Sequence, residues 1–135
     1  MQYTISASEQ GDFVQVNLHN DFDRPLAKEF TKEAKILAQD KQLNKVLVDI
    51  RGYRSKASLG EMYRYVQERS LDNNWQTALL VDEIDLSIEF LENSMVEAGH
   101  NYKVFTCEEQ AKNWLGNENK AGTKSFKLNQ TCLPL

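Results

Sequence analysis

Apolar and polar residues alternate in two short stretches at the start of the chain. The apolar members of these stretches are Tyr3, Ile5, Ala7, Val14, Val16 and Leu18. A period of two is typical of a strand with one buried face, and Gly11 and Asp12 between the stretches favour a turn. The pattern therefore predicts a β-hairpin.

Helical spacing replaces the alternation from Pro25 onward. Asp23 stands where a helix N-cap is expected, and Pro25 falls in the first turn, where proline is tolerated. Apolar residues then recur three or four positions apart: Leu26, Phe30, Ala34 and Leu37. This spacing predicts an amphipathic helix that ends at about Asp40.

Three further strands are predicted, and a helical pattern follows each of them. They lie at 46–49, 77–81 and 102–105. The first two are continuous apolar runs, which is typical of strands that are buried on both faces of a parallel sheet. The predicted order is ββαβαβαβα, an α/β fold in which helices pack on a mostly parallel sheet.

The three helices after these strands have recognisable start and stop signals. Two begin with a Ser/Thr-x-x-Glu capping box, at Ser58 and Thr106, and two end at a glycine, Gly99 and Gly116. The helix after Ser58 is predicted to run to about Leu71. Its buried stripe is predicted from residues at helical spacing: Leu59, Met62, Tyr63 and Val66.

Composition divides the chain into a domain and a tail. Hydrophobic residues make up 41% and charged residues 27% of the 135 residues, as expected of a single globular domain, which is assigned to 1–116. After Gly116 the sequence is rich in Asn, Lys, Gly, Ser and Thr. This composition predicts a flexible polar tail over 117–135.

Charge and hydropathy exclude two classes of partner. The net charge is -4 and no basic block is present, so a nucleic-acid partner is not expected. The start of the chain lacks the pattern of a signal peptide, and the longest apolar runs, such as 78–81, are too short to cross a bilayer. The sequence therefore predicts a cytoplasmic protein with no integral membrane segment.

No metal, cofactor or catalytic residue is predicted. The two cysteines, Cys107 and Cys132, are far apart and have no neighbouring histidine at ligand spacing, so a metal site is not expected and both thiols are expected to be reduced. The chain also lacks phosphate-loop, dinucleotide-binding and metalloprotease motifs.

A basic loop follows the strand at 46–49 and forms the candidate ligand-binding site. Arg51, Arg54 and Lys56 precede the helix that begins at Ser58. Open α/β sheets bind ligands at the loops after their strands, and the free N–H groups at a helix start attract anions. The four residues together therefore predict a site for an anionic group.

The order of elements and two local sequences resemble STAS domains and their relatives, the SpoIIAA-like proteins. The stretch from Ala98 to Leu115 is similar to the last strand and helix of SpoIIAA-like bacterial proteins. The resemblance extends from Met1 to Gly116. It implies a SpoIIAA-like fold, a bacterial cytoplasmic setting and a role in binding proteins or small ligands.

The second local resemblance to STAS domains lies around Ser58. STAS anti-sigma-factor antagonists carry a phosphorylatable serine at the start of the corresponding helix, and they have an aspartate before it. Here Lys56 and Ala57 precede the serine. Phosphorylation of Ser58 and simple capping of the helix, worth about 1 kcal/mol, both remain open.

The leading hypothesis is a non-enzymatic regulatory or binding module of STAS-like type. It would recognise a protein partner or a small anionic ligand through the loop from Arg51 to Ser58 and the following helix. The alternative is a small enzyme that acts on a phosphorylated or carboxylated metabolite, with Arg51 and Arg54 binding charge and Asp49 or Asp82 as general base. A pocket that joins a carboxylate to these arginines would favour the enzyme.

Two structural hypotheses compete with a ligand site. The basic loop has a simple explanation if its cations form surface ion pairs with acidic residues that follow the next strand: Asp82, Glu83 and Asp85. A homodimer is the other possibility, formed through an apolar helix face that includes Leu86 and Phe90.

Overall fold

The computed structural model describes residues 2–8, 11–54, 56, 58–68 and 75–116. Within these ranges the chain forms five strands and four helices in the predicted order: β1 (Tyr3–Ala7), β2 (Val14–Leu18), α1 (Arg24–Asp40), β3 (Lys45–Asp49), α2 (Leu59–Glu68), β4 (Gln76–Leu80), α3 (Leu86–Glu97), β5 (Asn101–Phe105) and α4 (Glu108–Gly116). The predicted tail and the predicted helix end at Leu71 lie outside the described residues. None of the described helices combines the length and hydrophobicity needed to cross a membrane.

The five strands form one sheet whose spatial order follows the chain, from β1 to β5. β1 and β2 are antiparallel, as the hairpin prediction requires, and β2 to β5 are parallel. Because every crossover runs in the same direction, right-handed connections place α1, α2 and α3 on one face of the sheet. α4 packs on the other face, against β3, β4 and β5.

Two apolar cores lie on opposite faces of the sheet. The larger core lies between the sheet and the first three helices. The smaller core lies under α4 and consists of Phe13, Leu47, Ala78, Leu80, Phe105, Ala111 and Leu115. Because side chains alternate along a strand, β3 contributes Val46 and Val48 to the larger core and Leu47 to the smaller one. The prediction that β3 and β4 are buried on both faces is confirmed.

The predicted glycine stop at the end of α3 is confirmed. Gly99 has a φ of 95°, a conformation that glycine adopts without steric cost. Its N–H donates to the carbonyl of Val96, and the N–H of His100 donates to the carbonyl of Met95, each at 3.0 Å. This pair of bonds is the Schellman motif, which closes the helix and turns the chain into β5.

The start of α4 differs from the prediction in two ways. The carbonyl of Cys107 accepts the first helical bond, from the N–H of Ala111 at 3.1 Å, so the helix begins one residue later than a capping box at Thr106 implies. Cys107 is buried and disulfide-bonded. The expectation of reduced thiols is therefore wrong for Cys107, and Cys132 lies outside the described residues.

Candidate functional site

The four predicted site residues lie at the carboxyl edge of the sheet, where β3 leads into α2. Because β2 to β5 are parallel, the ends of β4 and β5 lie at the same edge. The loop after β3 is consequently flanked by the β4–α3 loop on one side and by the segment between β2 and α1 on the other, and its Arg51 also reaches Glu108 at the start of α4.

Arg51 is the centre of an ion-pair network. Its Nε and Nη2 donate to the two carboxylate oxygens of Asp49 at 3.0 and 2.8 Å, and Nη2 also donates to Oε1 of Glu108 at 3.2 Å. Lys112 Nζ lies 2.9 Å from Oε2 of Glu108. The two parallel bonds to Asp49 have the bidentate geometry that makes arginine–carboxylate pairs strong. The Arg51 guanidinium is therefore engaged by carboxylates of the protein itself.

This network shifts the pKa of two of its members. The hydrogen bonds to Asp49 raise the pKa of Arg51 above its ordinary value. The hydrogen bond from Lys112, together with the charges of Lys112 and Arg51, lowers the pKa of Glu108. Arg51 and Glu108 are both more than a third exposed, so the ion pair between these two residues contributes at most about 1 kcal/mol. Its main effect is to tie the loop after β3 to the start of α4.

Arg54 and Lys56 are held by the backbone of the segment before α1. The N–H of Phe22 donates to the carbonyl of Arg54 at 3.0 Å, and the N–H of Lys56 donates to the carbonyl of Phe22 at 2.6 Å. The N–H of Arg54 also donates to Oδ1 of Asp21 at 2.9 Å. Both side chains remain exposed. These bonds tie Arg54 and Lys56 to the segment before α1, while the side chains of both residues face solvent.

Ser58 forms the predicted capping box. Its Oγ accepts the N–H of Glu61 at 3.2 Å, and Oε1 of Glu61 accepts the N–H of Ser58 at 3.0 Å. The residue is exposed, so the hydroxyl has a structural role and also faces solvent. Capping of α2 is confirmed, and phosphorylation of Ser58 stays a prediction.

A cleft of about 240 Å³ lies between the β3–α2 and β4–α3 loops. Arg54 lines it together with three carboxylates, those of Asp82, Glu83 and Asp85. Oδ2 of Asp82 accepts the N–H of Gly52 at 2.6 Å, which holds the two loops together. Among the described residues, no three His, Cys, Asp or Glu side chains are grouped so that they could hold a metal ion. The cleft is polar and carries more negative than positive charge.

Asp85 in this cleft caps α3. Its Oδ1 accepts the N–H of Ile88 and the hydroxyl of Ser87, both at 2.9 Å. The hydrogen bond from Ile88, followed by the one from Ser87, lowers the pKa of Asp85 below its ordinary value. The carboxylate therefore stabilises the fold in its charged form.

We expect Asp85→Ala to lower the free energy of unfolding by about 1 kcal/mol near neutral pH, since it removes an N-cap. Because the pKa of Asp85 is lower in the folded than in the unfolded chain, its contribution is present above about pH 4 and is lost as the pH falls through the folded-state pKa. Urea unfolding at a series of pH values should show the two proteins converging in acid. Asp85→Asn, which keeps a capping oxygen, is the control. A difference that does not change with pH would contradict this assignment.

Exposed apolar side chains lie in and just before the helices that follow the basic loop and the β4–α3 loop, and the sequence had singled out only Leu86 among them as part of a surface. The exposed large apolar residues of the described chain are Ile36, Leu59, Tyr63, Ile84, Leu86 and Val96. Four of these six lie in the first half of α2 or within two residues of the first residue of α3, and the two helices pack against each other. We call these four, Leu59, Tyr63, Ile84 and Leu86, the apolar edge surface.

The apolar edge surface corrects the prediction of a buried stripe on α2. Met62 and Val66 are buried as predicted, whereas Leu59 and Tyr63 are about half exposed. α2 packs mainly against its neighbouring helices rather than directly on the sheet, so only a narrow stripe of it reaches the core. Its remaining apolar side chains face solvent.

Comparison of the chain with family models and with curated proteins identified no family for it. The chain matches no protein-family model, and it matches no curated protein. The functional interpretation therefore rests on the residues at the carboxyl edge of the sheet and on the surfaces around them.

Proposed function

We propose that this protein is a non-enzymatic binding module that recognises a partner protein through the apolar edge surface and the loop after β3. The observation that carries the proposal is the exposure of Leu86, which is 82% accessible at the start of α3. Single exposed leucines are common, but contiguous apolar patches are rare on monomers and mark interaction sites. Leu86 is the most exposed of the four residues of the apolar edge surface, which lie in or just before two helices that pack against each other.

The arrangement has the parts that a protein interface requires. Burying a leucine or a similar side chain contributes roughly 1.5–3 kcal/mol, so the apolar edge surface is able to supply the central part of an interface. Arg54, Lys56 and the carboxylates of the neighbouring cleft supply charged groups beside it. Apolar centres with polar rims are the usual anatomy of protein–protein contacts.

Ser58 supports a regulatory form of this role. Its hydroxyl is exposed next to Leu59, and the resemblance to STAS anti-sigma-factor antagonists points to the same position. A phosphate there would add charge of about -1.5 to -2 to the surface. Phosphorylation would thus disfavour an apolar partner at this edge.

A small anionic ligand is the less favoured form of the proposal. Arg51 is already paired with Asp49 and Glu108, so an anion would have to rely on Arg54 and Lys56. The capping box of α2 also occupies donors that an anion would use.

The enzyme hypothesis is the second candidate, because the cleft does join Arg54 to carboxylates. Both proposed bases, however, already accept hydrogen bonds that hold the loop. Asp82 accepts the N–H of Gly52 and Asp49 accepts the Arg51 guanidinium. Removing a proton from a substrate would compete with these bonds, so we place binding ahead of catalysis.

Site-specific photo-crosslinking in the native cell tests the binding proposal. A photoreactive phenylalanine derivative is placed at Leu86 or Tyr63 and, as matched controls, at Ile36 or Val96, which are 58% and 53% exposed on other parts of the helices. We expect the same protein to be captured from both edge positions and from neither control. With that protein purified, Leu86→Asp should weaken binding about tenfold or more, because it places a charge in an apolar contact.

Two results would contradict the proposal. One is capture that is equal at edge and control positions. The other is unchanged affinity of Leu86→Asp, with Val96→Asp as the reference for a non-specific effect. Capture of a second copy of this chain alone would support the homodimer hypothesis instead, and sedimentation of the purified protein would verify it.

A further inference from the structure

The excess of acidic residues in this chain lies in the region around Leu86. Residues 75–102 contain six acidic residues and no lysine or arginine. The whole chain has 20 acidic and 16 basic residues, so the rest of the sequence carries a small excess of basic side chains. The negative charge is therefore concentrated in β4, α3 and the loop between them.

Two of these carboxylates flank Leu86 and are not used by the fold. Glu83 lies three residues before Leu86, and Glu89 lies three residues after it, one turn further along α3. Both side chains are exposed, and neither forms a hydrogen bond or an ion pair in the part of the chain that the structure describes. Glu83 and Glu89 are therefore available to a cation of another molecule.

Apolar and acidic side chains alternate in the segment that leads into α3. Glu83 and Asp85 line the cleft between the two loops, whereas Ile84 and Leu86 are 47% and 82% exposed. Asp85 has an extended backbone, with φ of -93° and ψ of -175°, and successive residues of an extended chain point to opposite sides. Arg54 offsets only part of the charge of the three carboxylates in that cleft. The apolar side chains therefore stand beside a surface of negative charge.

We propose that the partner protein at the apolar edge surface presents a segment in which apolar residues stand next to lysine or arginine. The apolar residues contact Ile84 and Leu86, and the basic side chains pair with Glu83 and Glu89. This inference rests on the proposed function and names the chemistry of the partner. Complementary charges around an apolar contact raise the association rate and restrict which partners are accepted.

The same charges disfavour other occupants of this surface. A second copy bound through a two-fold axis brings the same acidic surface to both sides of the contact, and like charges placed together oppose association. Nucleic acids and anionic lipid headgroups are repelled for the same reason. A protein segment that is both apolar and basic matches both kinds of side chain around Leu86.

The peptide that is cross-linked from position 86 provides the probe for this inference. Its sequence, read by tandem mass spectrometry, is expected to carry net positive charge, with lysine or arginine within about four residues of the cross-linked position. A synthetic peptide of that sequence is then titrated against the unmodified protein and two double variants. Glu83→Gln with Glu89→Gln removes the charges beside Leu86. Glu97→Gln with Glu109→Gln removes two exposed charges elsewhere and is the matched control.

We expect the Glu83/Glu89 variant to bind the peptide about fivefold more weakly at low salt, since each exposed pair contributes modestly. The control should stay within about twofold. Raising NaCl from about 0.1 to about 0.5 M should weaken binding to the unmodified protein and hardly change binding to the Glu83/Glu89 variant, because salt screens exposed charges. A peptide with glutamine in place of its lysines and arginines should not distinguish the two proteins.

The outcomes separate this inference from the proposed function. A peptide that binds the Glu83/Glu89 variant and the control equally well, or that carries net negative charge, overturns the inference while partner binding at Leu86 stands. If positions 86 and 63 capture no protein, the proposed function fails and this inference fails with it. Capture of this chain alone also overturns the inference.

Discussion

Phe30→Ala is expected to lower the free energy of unfolding by about 3–5 kcal/mol, the usual cost of removing an aromatic ring from a core. Phe30 lies on the buried face of α1 and is 6% exposed. Its ring meets those of Tyr3 and Phe22 edge-on, at centroid distances of 5.9 and 6.4 Å. The substitution therefore removes packing that joins α1 both to the edge strand β1 and to the segment before the helix.

Urea unfolding followed by circular dichroism measures this loss. Ile36→Ala is the matched control on the same helix, because Ile36 is exposed and a surface change of this kind is usually within about 0.5 kcal/mol. A small domain has a total stability of about 5–15 kcal/mol, so the Phe30 variant is expected to be close to unfolding. A loss that equals the control would show that α1 does not pack on the sheet through this residue.

The second large effect is expected in the smaller core, on the opposite face of the sheet. Leu115→Ala should destabilise the protein by about 2–5 kcal/mol, because the side chain is fully buried and leaves a cavity. Within the described ranges the smaller core contains seven buried residues, so few of the described neighbours are available to fill the space. α4 should consequently loosen from β3 and β4.

Hydrogen exchange of the variant distinguishes local from global loss. We expect the amides of α4 to lose protection first, since this helix is the only described element over the smaller core. Gln110→Ala, on the exposed side of α4, is the control and should leave both stability and exchange unchanged. Equal exchange in the two variants would contradict the role assigned to Leu115.

The sequence predicted the architecture because its main determinants are local. Continuous apolar runs marked β3 and β4 as strands buried on both faces, and alternation marked the hairpin. Asp23 and Ser58 were recognisable as helix caps from their positions alone, and each makes the expected bond to a backbone N–H. Capping and periodicity depend on residues only a few positions apart, so the sequence carries them directly.

The sequence predicted where the candidate site lies, but it did not predict which residues form ion pairs with Arg51. The basic loop lies at the sheet edge as expected, yet Arg51 pairs with Asp49 and Glu108 rather than with the acidic residues after β4. Asp49 was open to prediction, because positions two apart project to the same side of an extended chain. Glu108 was not, since its approach depends on how α4 packs across the sheet.

The sequence indicated only part of the apolar edge surface, since it marked Leu86 as a surface residue but placed Leu59 and Tyr63 in the core. Helical spacing indicates which residues share a side of α2, but the width of the buried part depends on how closely the neighbouring helices approach. Leu59 and Tyr63 were therefore placed in the core by spacing and lie outside it in the structure.

The strands lie in the sheet in the same order as in the chain. This order affects how the fold recognises other molecules. In doubly wound sheets the strand order reverses, the loops on either side of the reversal part, and a crevice opens there for a ligand. Strands β2 to β5 advance in one direction throughout, so the topology provides no point at which adjacent loops must separate. Recognition at this edge therefore relies on the outer faces of the loops and helix starts and on the shallow cleft between the β3–α2 and β4–α3 loops.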